Sequence, residues 1–337
     1  MSATMLAAVL VQYGKPLEIQ EVPRPVPGPG KILIKLETSG VCHTDVHIWT
    51  GDVRPSDDPI PFVLGHEGVG HVVEIGPGVT DWKIGDRAGA AWIHDSCGTC
   101  AECLAGFENF CQVHRAHGLQ VPGTFAEYVV ADARFAARVP GGDAAALAPL
   151  MCAGLTAYGA LDRADLQSGE CCAIFGCGGL GQYAVQLAER RGAKVIAIDR
   201  DPIKREQSAR NGAAIVLDGG NVDAIEAERG SAHVCVNFAP TPATWEPMVT
   251  MIRPRGRIIS AAMVSKPVPL NQEWLTASGV NITGTSVGTR KQMDALMKLQ
   301  AERPLMATVT EIPLSEATRA LRELHEGTAP GRYCIRF

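Results

Sequence analysis

The chain has 337 residues, which is too long for one ordinary domain and sufficient for two. Hydrophobic residues make up 46% and charged residues 20% of it, and its net charge of −5 offers no basic surface to nucleic acid or anionic membranes. No apolar run is long enough to cross a bilayer, and the first residues lack the basic start of a signal peptide. We therefore expect a cytoplasmic protein that binds neither nucleic acid nor membrane.

The first 150 residues predict a β-rich domain of antiparallel strands. Short alternating runs, separated by glycine and proline, occur at 5–11, 31–36, 70–75 and 124–130. Such spacing is typical of strands joined by turns. An alanine-rich helical pattern at 144–159 then leads into the next part of the chain. We expect this first domain to cover residues 1–153.

From Cys171 onward the pattern changes to alternating apolar strands and helices. The predicted strands lie at 171–175, 194–198, 213–217, 233–236, 257–260 and 281–285. This alternation predicts a doubly wound parallel sheet over residues 154–287, so the fold class is α/β. Residues 288–337 are expected to return to the first domain. They contain a predicted helix at 291–300, a strand at 307–312, a helix at 314–326 and a closing strand.

A glycine-rich turn follows the first strand of this second domain and opens a helix. It has the pattern G-x-G-x-x-G, in which the glycines permit a tight turn, close approach to a pyrophosphate and close helix–strand packing. The helix N-terminus adds free N–H groups and a favourable dipole. We predict a dinucleotide site at Gly176, Gly178, Gly179, Leu180 and Gly181.

Asp199 ends the second strand, eighteen residues after Gly181. At that position a carboxylate accepts hydrogen bonds from the ribose hydroxyls of the adenosine. Because a carboxylate also repels a 2′-phosphate, Asp199 favours NAD over NADP. The neighbouring Arg200 weakens this preference, since its guanidinium is able to pair with that phosphate.

The eleven cysteines indicate metal binding more than disulfides, because a disulfide framework belongs to small exported domains. Four of them form C-x2-C-x2-C-x7-C, and close spacing of this kind lets one loop fold around a structural zinc ion. We predict this zinc on a lobe at about 92–114, held by Cys97, Cys100, Cys103 and Cys111.

A second set of possible ligands is dispersed along the chain: Cys42 in VCHTD, His66 and Glu67 in GHEGVG, and Cys152 in LMCAG. Dispersed ligands are typical of catalytic zinc, where the fold assembles three protein groups and leaves a fourth position open. Each of these residues taken singly is weak evidence, because a buried cysteine is usually a small hydrophobic residue.

Five motifs, CHTD, GHEGVG, the four-cysteine pattern, MCAGLTAY and the glycine turn, occur here in one order. In them the chain resembles the zinc-containing medium-chain alcohol dehydrogenases, and most closely their yeast and bacterial tetrameric branch. The resemblance runs along essentially the whole chain. It implies a GroES-like catalytic domain, a Rossmann domain, two zinc ions per subunit, NAD, and assembly as a homotetramer or dimer.

The resemblance also implies roles for the residues around the catalytic metal. The zinc ligands would be Cys42, His66 and Cys152, and Glu67 would ligate the metal transiently during exchange of the fourth ligand. Asp45 would orient the His66 ring. Thr44 and His47 match the proton relay of the family.

Contacts to the cofactor and the substrate follow from the same resemblance. His43 and Arg290 match basic positions that meet the pyrophosphate, Lys204 matches a lysine that reaches the adenosine ribose, and Thr156 lies in a cofactor-binding motif. Trp92 matches a bulky wall of the substrate pocket. Val53 stands where the yeast-type enzymes have tryptophan, so we expect a wider pocket that accepts secondary, bulky or aromatic alcohols besides simple primary ones.

These residues predict an NAD-dependent alcohol dehydrogenase. One alternative is a zinc-free enone or quinone reductase, which would lack the set Cys42, His66 and Cys152. Another is a polyol dehydrogenase, which would usually carry a carboxylate at position 152. The third is a zinc-stabilised binding protein without turnover, and the relay residues argue against it.

Overall fold

A computed structural model describes residues 4–55 and 60–337, and the chain divides into two compact units. Unit 1 combines Met1–Cys152 with Thr289–Phe337, and unit 2 consists of Ala153–Gly288. Both breaks fall within one residue of the boundaries expected from the sequence.

The strands, numbered in chain order, alternate with turns in the first part of the chain and with helices in the second. They are β1 (Thr4–Leu10), β2 (Glu18–Pro23), β3 (Lys31–Val41), β4 (Phe62–Val63), β5 (Gly68–Ile75), β6 (Arg87–Ala90), β7 (Ile93–Asp95), β8 (Arg115–Ala116), β9 (Tyr128–Asp132), β10 (Ala137–Arg138), β11 (Cys171–Phe175), β12 (Lys194–Asp199), β13 (Ile215–Asp218), β14 (Ala232–Asn237), β15 (Ile252–Ser260), β16 (Asn281–Gly284), β17 (Val309–Pro313) and β18 (Arg332–Arg336).

The α-helices of unit 1 have four to thirteen residues, and those of unit 2 have six to eleven. They are α1 (His43–Thr50), α2 (Ala101–Leu104), α3 (Ala144–Leu147), α4 (Ala153–Arg163), α5 (Gly181–Arg190), α6 (Pro202–Arg210), α7 (Val222–Ala227), α8 (Trp245–Met251), α9 (Gln272–Ser278), α10 (Arg290–Glu302) and α11 (Ala317–Glu326). Single 3₁₀ turns occupy Glu108–Phe110, Ala148–Met151, Pro242–Thr244 and Leu314–Glu316.

Unit 1 is built around β3, an eleven-residue strand that is buried over most of its length. It pairs antiparallel with β5, β9 and β18 in a sheet of order β10-β6-β5-β3-β18-β17. A separate sheet has the order β2-β1-β4. Because β18 comes from the returning segment, the first domain is complete only with the end of the chain.

Unit 2 is a six-stranded parallel sheet of order β13-β12-β11-β14-β15-β16. The strand order reverses between β11 and β14, and in such sheets ligands bind beyond the carboxyl ends of the strands at this switch point. The predicted doubly wound sheet is confirmed, and β11, buried in every residue, is its central apolar strand.

Two sequence predictions differ from the structure. The run at 124–130 is a strand only from Tyr128 onward, since Phe125 leaves the sheet to exchange hydrogen bonds with Ala8 and Leu64. The helical pattern at 144–159 is broken into α3, a 3₁₀ turn and α4, because Pro149 cannot continue a helix and Cys152 adopts φ −134° and ψ −68°.

In the described part of the chain, no single helix has the length and apolar composition that a membrane crossing requires, and one bent pair, Ala144–Met151 with Ala153–Arg163, reaches them only together.

A buried pair of histidines crosses the core of unit 1 beside β7. His94 Nδ1 lies 3.0 Å from His117 Nε2, and His117 Nδ1 lies 2.7 Å from the Ala91 carbonyl oxygen. Lys31 Nζ is 3.3 Å from His94 Nε2 and 2.9 Å from Asp132. Burial, followed by the charges of His117 and Lys31, lowers the pKa of His94 to about 3. Burial lowers the pKa of His117 to about 4. Both rings are therefore neutral in the folded protein.

This pair predicts a loss of stability in mild acid. The unfolded histidines bind protons near pH 6.5 while the folded ones do not, so the free energy of unfolding falls as pH drops from about 6.5 toward 4. The His117 ring accounts for up to about 3 kcal/mol of that fall. Urea unfolding of the wild type and His117→Gln between pH 7 and 4.5 should show a shallower pH slope for the variant. Equal slopes would contradict the assignment.

Candidate functional site

Cys42 stands at the junction where β3 ends and α1 begins. It is the N-cap of α1, and its backbone N–H donates to Asp45 Oδ2 at 2.9 Å. Asp45 is three residues further on, fully buried in the first turn, where a carboxylate is stabilised by the helix dipole. The helix start thus fixes the position of the Cys42 thiol.

The other oxygen of the same carboxylate orients His66. Asp45 Oδ1 lies 3.0 Å from His66 Nδ1 and also accepts the Gly65 N–H at 3.2 Å. With Nδ1 engaged by Asp45, Nε2 is the ring atom left for a metal ion, and it is buried with no hydrogen-bond partner among the described residues. Burial alone would lower the pKa of His66, but the charges and hydrogen bonds of Asp45 and Cys42 together raise it well above its usual range. A carboxylate so placed makes imidazole a stronger metal ligand.

Cys152 completes the cluster from the break between the 3₁₀ turn and α4. Its Sγ lies 4.0 Å from Cys42 Sγ, and the ligand atoms of Cys42, His66, Glu67 and Cys152 all lie within 4.8 Å of one another. The hydrogen bond between the two sulfurs lowers the pKa of Cys42 well below its usual range and raises that of Cys152 well above. The structure therefore brings together the four dispersed residues that the sequence singled out.

Glu67 forms a buried ion pair with a residue that the sequence analysis did not identify. Arg332, on β18 and buried, donates from Nη2 to Glu67 Oε2. Burial raises the pKa of Glu67 to about 7 against the opposing charge of Arg332. Gly40 has to lack a side chain, because a Cβ there would lie 2.1 Å from Glu67 Oε2. No spacing rule could reveal Arg332, since it is 265 residues from its partner.

The donor set fits a catalytic zinc ion. Two sulfurs and the His66 Nε2, which has no partner in the part of the chain that the structure describes, converge in a buried space, and the Glu67 carboxylate is engaged by Arg332. Three protein ligands with one position left open are characteristic of catalytic zinc.

The predicted relay residues follow Cys42 on α1. Thr44 Oγ1 lies 3.9 Å from Cys42 Sγ, and His47 begins the next turn, with Nδ1 3.6 Å from Asp52 Oδ2. The His43 and His47 rings are in edge contact, with centroids 5.1 Å apart. Burial, and then the charge of His47, lowers the pKa of His43. Along α1 these side chains therefore run from the metal cluster at Cys42 to His47, whose side chain is 25% exposed.

Both predicted pocket residues lie in unit 1. The Trp92 ring meets the His66 ring edge-on with centroids 4.9 Å apart, so it borders the metal cluster directly. Val53 follows the end of α1, donates its N–H to the His47 carbonyl at 3.0 Å and packs against the core.

The four-cysteine cluster is also assembled. The ligand atoms of Cys97, Cys100, Cys103 and Cys111 lie within 4.8 Å of one another. The Thr99 and Cys100 N–H groups donate to Cys97 Sγ and lower the pKa of Cys97 to about 6. Four thiols on one closed loop, one of them already stabilised as a thiolate, fit a structural zinc ion.

The glycine turn of unit 2 has the shape that a pyrophosphate requires. Gly176 adopts φ +85°, and a Cβ on Gly181 would lie 2.0 Å from the Gly176 carbonyl oxygen. A Cβ on Gly178 would meet no atom within 4 Å, which leaves its backbone open to a ligand. Gly179 and Leu180 lead into α5, whose N-terminus faces the turn.

Asp199 is fixed at the end of β12 by two backbone amides. Its Oδ2 accepts from Cys177 N at 2.8 Å and its Oδ1 from Asp201 N at 2.9 Å. Lys204, on α6, lies 3.7 Å from Asp201, and Arg200 is exposed. Thr156 is buried on α4. The roles predicted for Lys204 and Thr156 stay predictions.

Arg290 begins α10 and has a protein partner. Its backbone N and its Nε both donate to Glu108 Oε1, at 2.9 and 3.0 Å, and its guanidinium lies 4.5 Å from the centroid of the Phe135 ring. Its predicted pairing with the pyrophosphate stays a prediction.

Two segments of the chain match known protein families. Residues 28–141 match the "Alcohol dehydrogenase GroES-like domain" and residues 179–302 match the "Zinc-binding dehydrogenase" family. An alcohol dehydrogenase of Moraxella sp. (strain TAE123) is 37% identical over 99% of both chains. The chain belongs to the zinc-binding alcohol dehydrogenase family.

Solved structures agree with this membership. A cobalt- and zinc-bound thermostable alcohol dehydrogenase from Pyrobaculum aerophilum has a TM-score of 0.91 and 30% identity, over 99% of this chain and 100% of that one. Acetophenone reductase from Geotrichum candidum NBRC 4597, in complex with NAD, has a TM-score of 0.90 and 30% identity, over 100% and 98%. The GroES-like and Rossmann folds are confirmed, and the enzyme is an oxidoreductase of a family that uses zinc and NAD.

The Asp45 contacts predict how tightly the catalytic metal is held. In Asp45→Asn the amide keeps the shape of the side chain but not its charge, so the His66 ring loses its fixed orientation and basicity. Zinc affinity in chelator competition should fall about 10- to 100-fold. Asp294→Asn, an exposed change on α10, is the matched control and should retain the wild-type affinity. Unchanged affinity in Asp45→Asn would refute the assignment.

Proposed function

We propose that this enzyme reversibly oxidises alcohols to aldehydes or ketones with NAD, and that bulky or aromatic alcohols are among its substrates. The observation that carries the proposal is the buried set Cys42, His66 and Cys152, in which one imidazole nitrogen and two sulfurs converge while Arg332 engages the nearby Glu67. Two thiolates and a neutral imidazole balance the charge of Zn²⁺. Zinc bound there supplies a Lewis acid that acidifies an alcohol or polarises a carbonyl group.

The surrounding residues orient the reactants and move the proton. The Thr44 hydroxyl, next to Cys42, would accept the proton of the alcohol, and His47, one turn further along α1 and partly exposed, would pass it to solvent. Trp92, edge-on to His66, limits where the substrate carbon can lie.

Unit 2 would supply the dinucleotide site. The amides of the turn 176–181 and the N-terminus of α5 would bind the pyrophosphate, and Asp199 would accept from the ribose hydroxyls. NAD supplies the hydride acceptor. The acetophenone reductase, whose structure contains NAD, supports this cofactor.

The second zinc and the oligomer belong to the same proposal. The closed cluster of Cys97, Cys100, Cys103 and Cys111 would hold a zinc ion that stabilises its loop without taking part in the reaction. A homotetramer or a dimer is proposed from the family resemblance alone.

Metal analysis and a panel of alcohols test the function together. We expect two zinc ions per chain and NAD reduction with ethanol, longer alcohols, benzyl alcohol and 1-phenylethanol. A chain with one zinc, or without turnover on every alcohol in either direction, would overturn the proposal.

The width of the pocket is tested at position 53. A tryptophan in place of Val53 should fill space beside α1, so kcat/KM for benzyl alcohol should fall about tenfold relative to ethanol. Val26→Trp, at a strongly exposed position, is the control for adding an indole. A wild type restricted to ethanol would contradict the wide pocket.

Asp199 is the residue that should set the choice of cofactor. Asp199→Asn removes the charge and keeps an oxygen for only one of the two backbone amides, so the Kd for NAD should rise about tenfold and NADP should compete more effectively with NAD. Asp223→Asn, exposed on α7, should change neither Kd. Isothermal titration with both cofactors measures the effect, and an unaltered preference would show that Asp199 does not select NAD.

A further inference from the structure

Glu108 is a buried carboxylate in the loop that carries the four-cysteine cluster. It begins the 3₁₀ turn Glu108–Phe110, and its carbonyl accepts the N–H of Cys111, the last of the four cysteines, at 3.1 Å. Its side chain is only 5% exposed. A buried charge requires a partner, because burial removes it from water and nothing else compensates that loss.

The partner of Glu108 lies on the segment that returns from unit 2. One carboxylate oxygen accepts both the backbone N–H and the Nε–H of Arg290, the first residue of α10. The helix dipole favours a negative charge at this end of α10. The guanidinium also covers the Phe135 ring at 4.5 Å, a cation–π contact that adds to the hold on Arg290.

We propose that Glu108 and Arg290 form a clasp that holds the four-cysteine loop, residues 97–111, against the start of α10 and thereby slows the loss of zinc from that loop. The clasp fixes Glu108, and through the 3₁₀ turn it fixes the backbone that delivers Cys111 to the other three thiols. Arg290 is a positioning residue for the metal loop in this arrangement.

The clasp engages Arg290 through its backbone N and its Nε, both of which donate to the buried Glu108 carboxylate. Turning Arg290 away would leave that buried carboxylate without its cation, which is the costly way to break an ion pair. The Arg290 side chain is 48% exposed, so its outer nitrogens reach solvent while Nε stays on Glu108.

The proposal rests on the structural zinc of the proposed function, so the zinc content of the protein is measured first. The wild-type enzyme should contain two zinc ions and Cys103→Ser one. If the wild type contains only one zinc ion, both the structural zinc and the clasp are refuted. If it contains two, zinc release to a chromogenic chelator is followed for the intact enzyme and its Glu108→Gln and Arg290→Met variants.

We expect the release of one of the two zinc ions to be about tenfold faster in each variant, because a hydrogen bond to a charged group is lost. The double variant should release zinc no faster than the single ones, since both substitutions break one unit. Arg290→Lys should restore part of the retention. The Kd for NAD of Glu108→Gln, measured on zinc-replete protein, should stay within twofold of the wild type.

Glu102→Gln and Lys291→Gln are matched controls on the same loop and the same helix turn, and both side chains are exposed. They should release zinc at the wild-type rate. If Glu108→Gln contains two zinc ions and releases zinc at the wild-type rate, the clasp is overturned. A tenfold rise in the NAD Kd of Arg290→Met, with zinc retention unchanged, would instead assign Arg290 to the cofactor.

Discussion

The metal cluster depends on one buried carboxylate, which forms hydrogen bonds with two of the ligand residues at once. One oxygen of Asp45 accepts the N–H of Cys42 at the start of α1, and the other holds the Nδ1 side of His66. Two ligands from separate segments are therefore set by the same group. A change at the start of α1 therefore also alters the orientation and basicity of the His66 imidazole.

Local patterns predicted the parts of this enzyme whose chemistry is local. The four cysteines, the glycine turn and Asp199 were found because their spacing reflects one loop or one strand–turn–helix unit. The parallel sheet followed from the alternation of strands and helices. The cluster of Cys42, His66 and Cys152 needed the family resemblance, because three distant segments contribute to it.

What the sequence could not predict is contact between distant segments. Arg332 behind Glu67, Glu108 beneath Arg290 and the His94–His117 pair are each formed by residues that no periodic pattern connects. The strand expected at 124–130 was half wrong for the same reason, since Phe125 bonds to Ala8 and Leu64 rather than continuing β9. Contacts between distant segments, which depend on the whole fold, decide these positions.

The pairing of Glu67 with Arg332 also bears on the order in which the protein forms. The acid lies on the early part of the chain and its cation on the last strand, 265 residues later. During synthesis the loop around His66 must exist without the charge that compensates Glu67, and closing so long a loop carries an entropic cost. The charge of Glu67 behind the metal cluster is therefore compensated only when β18 enters the sheet beside β3.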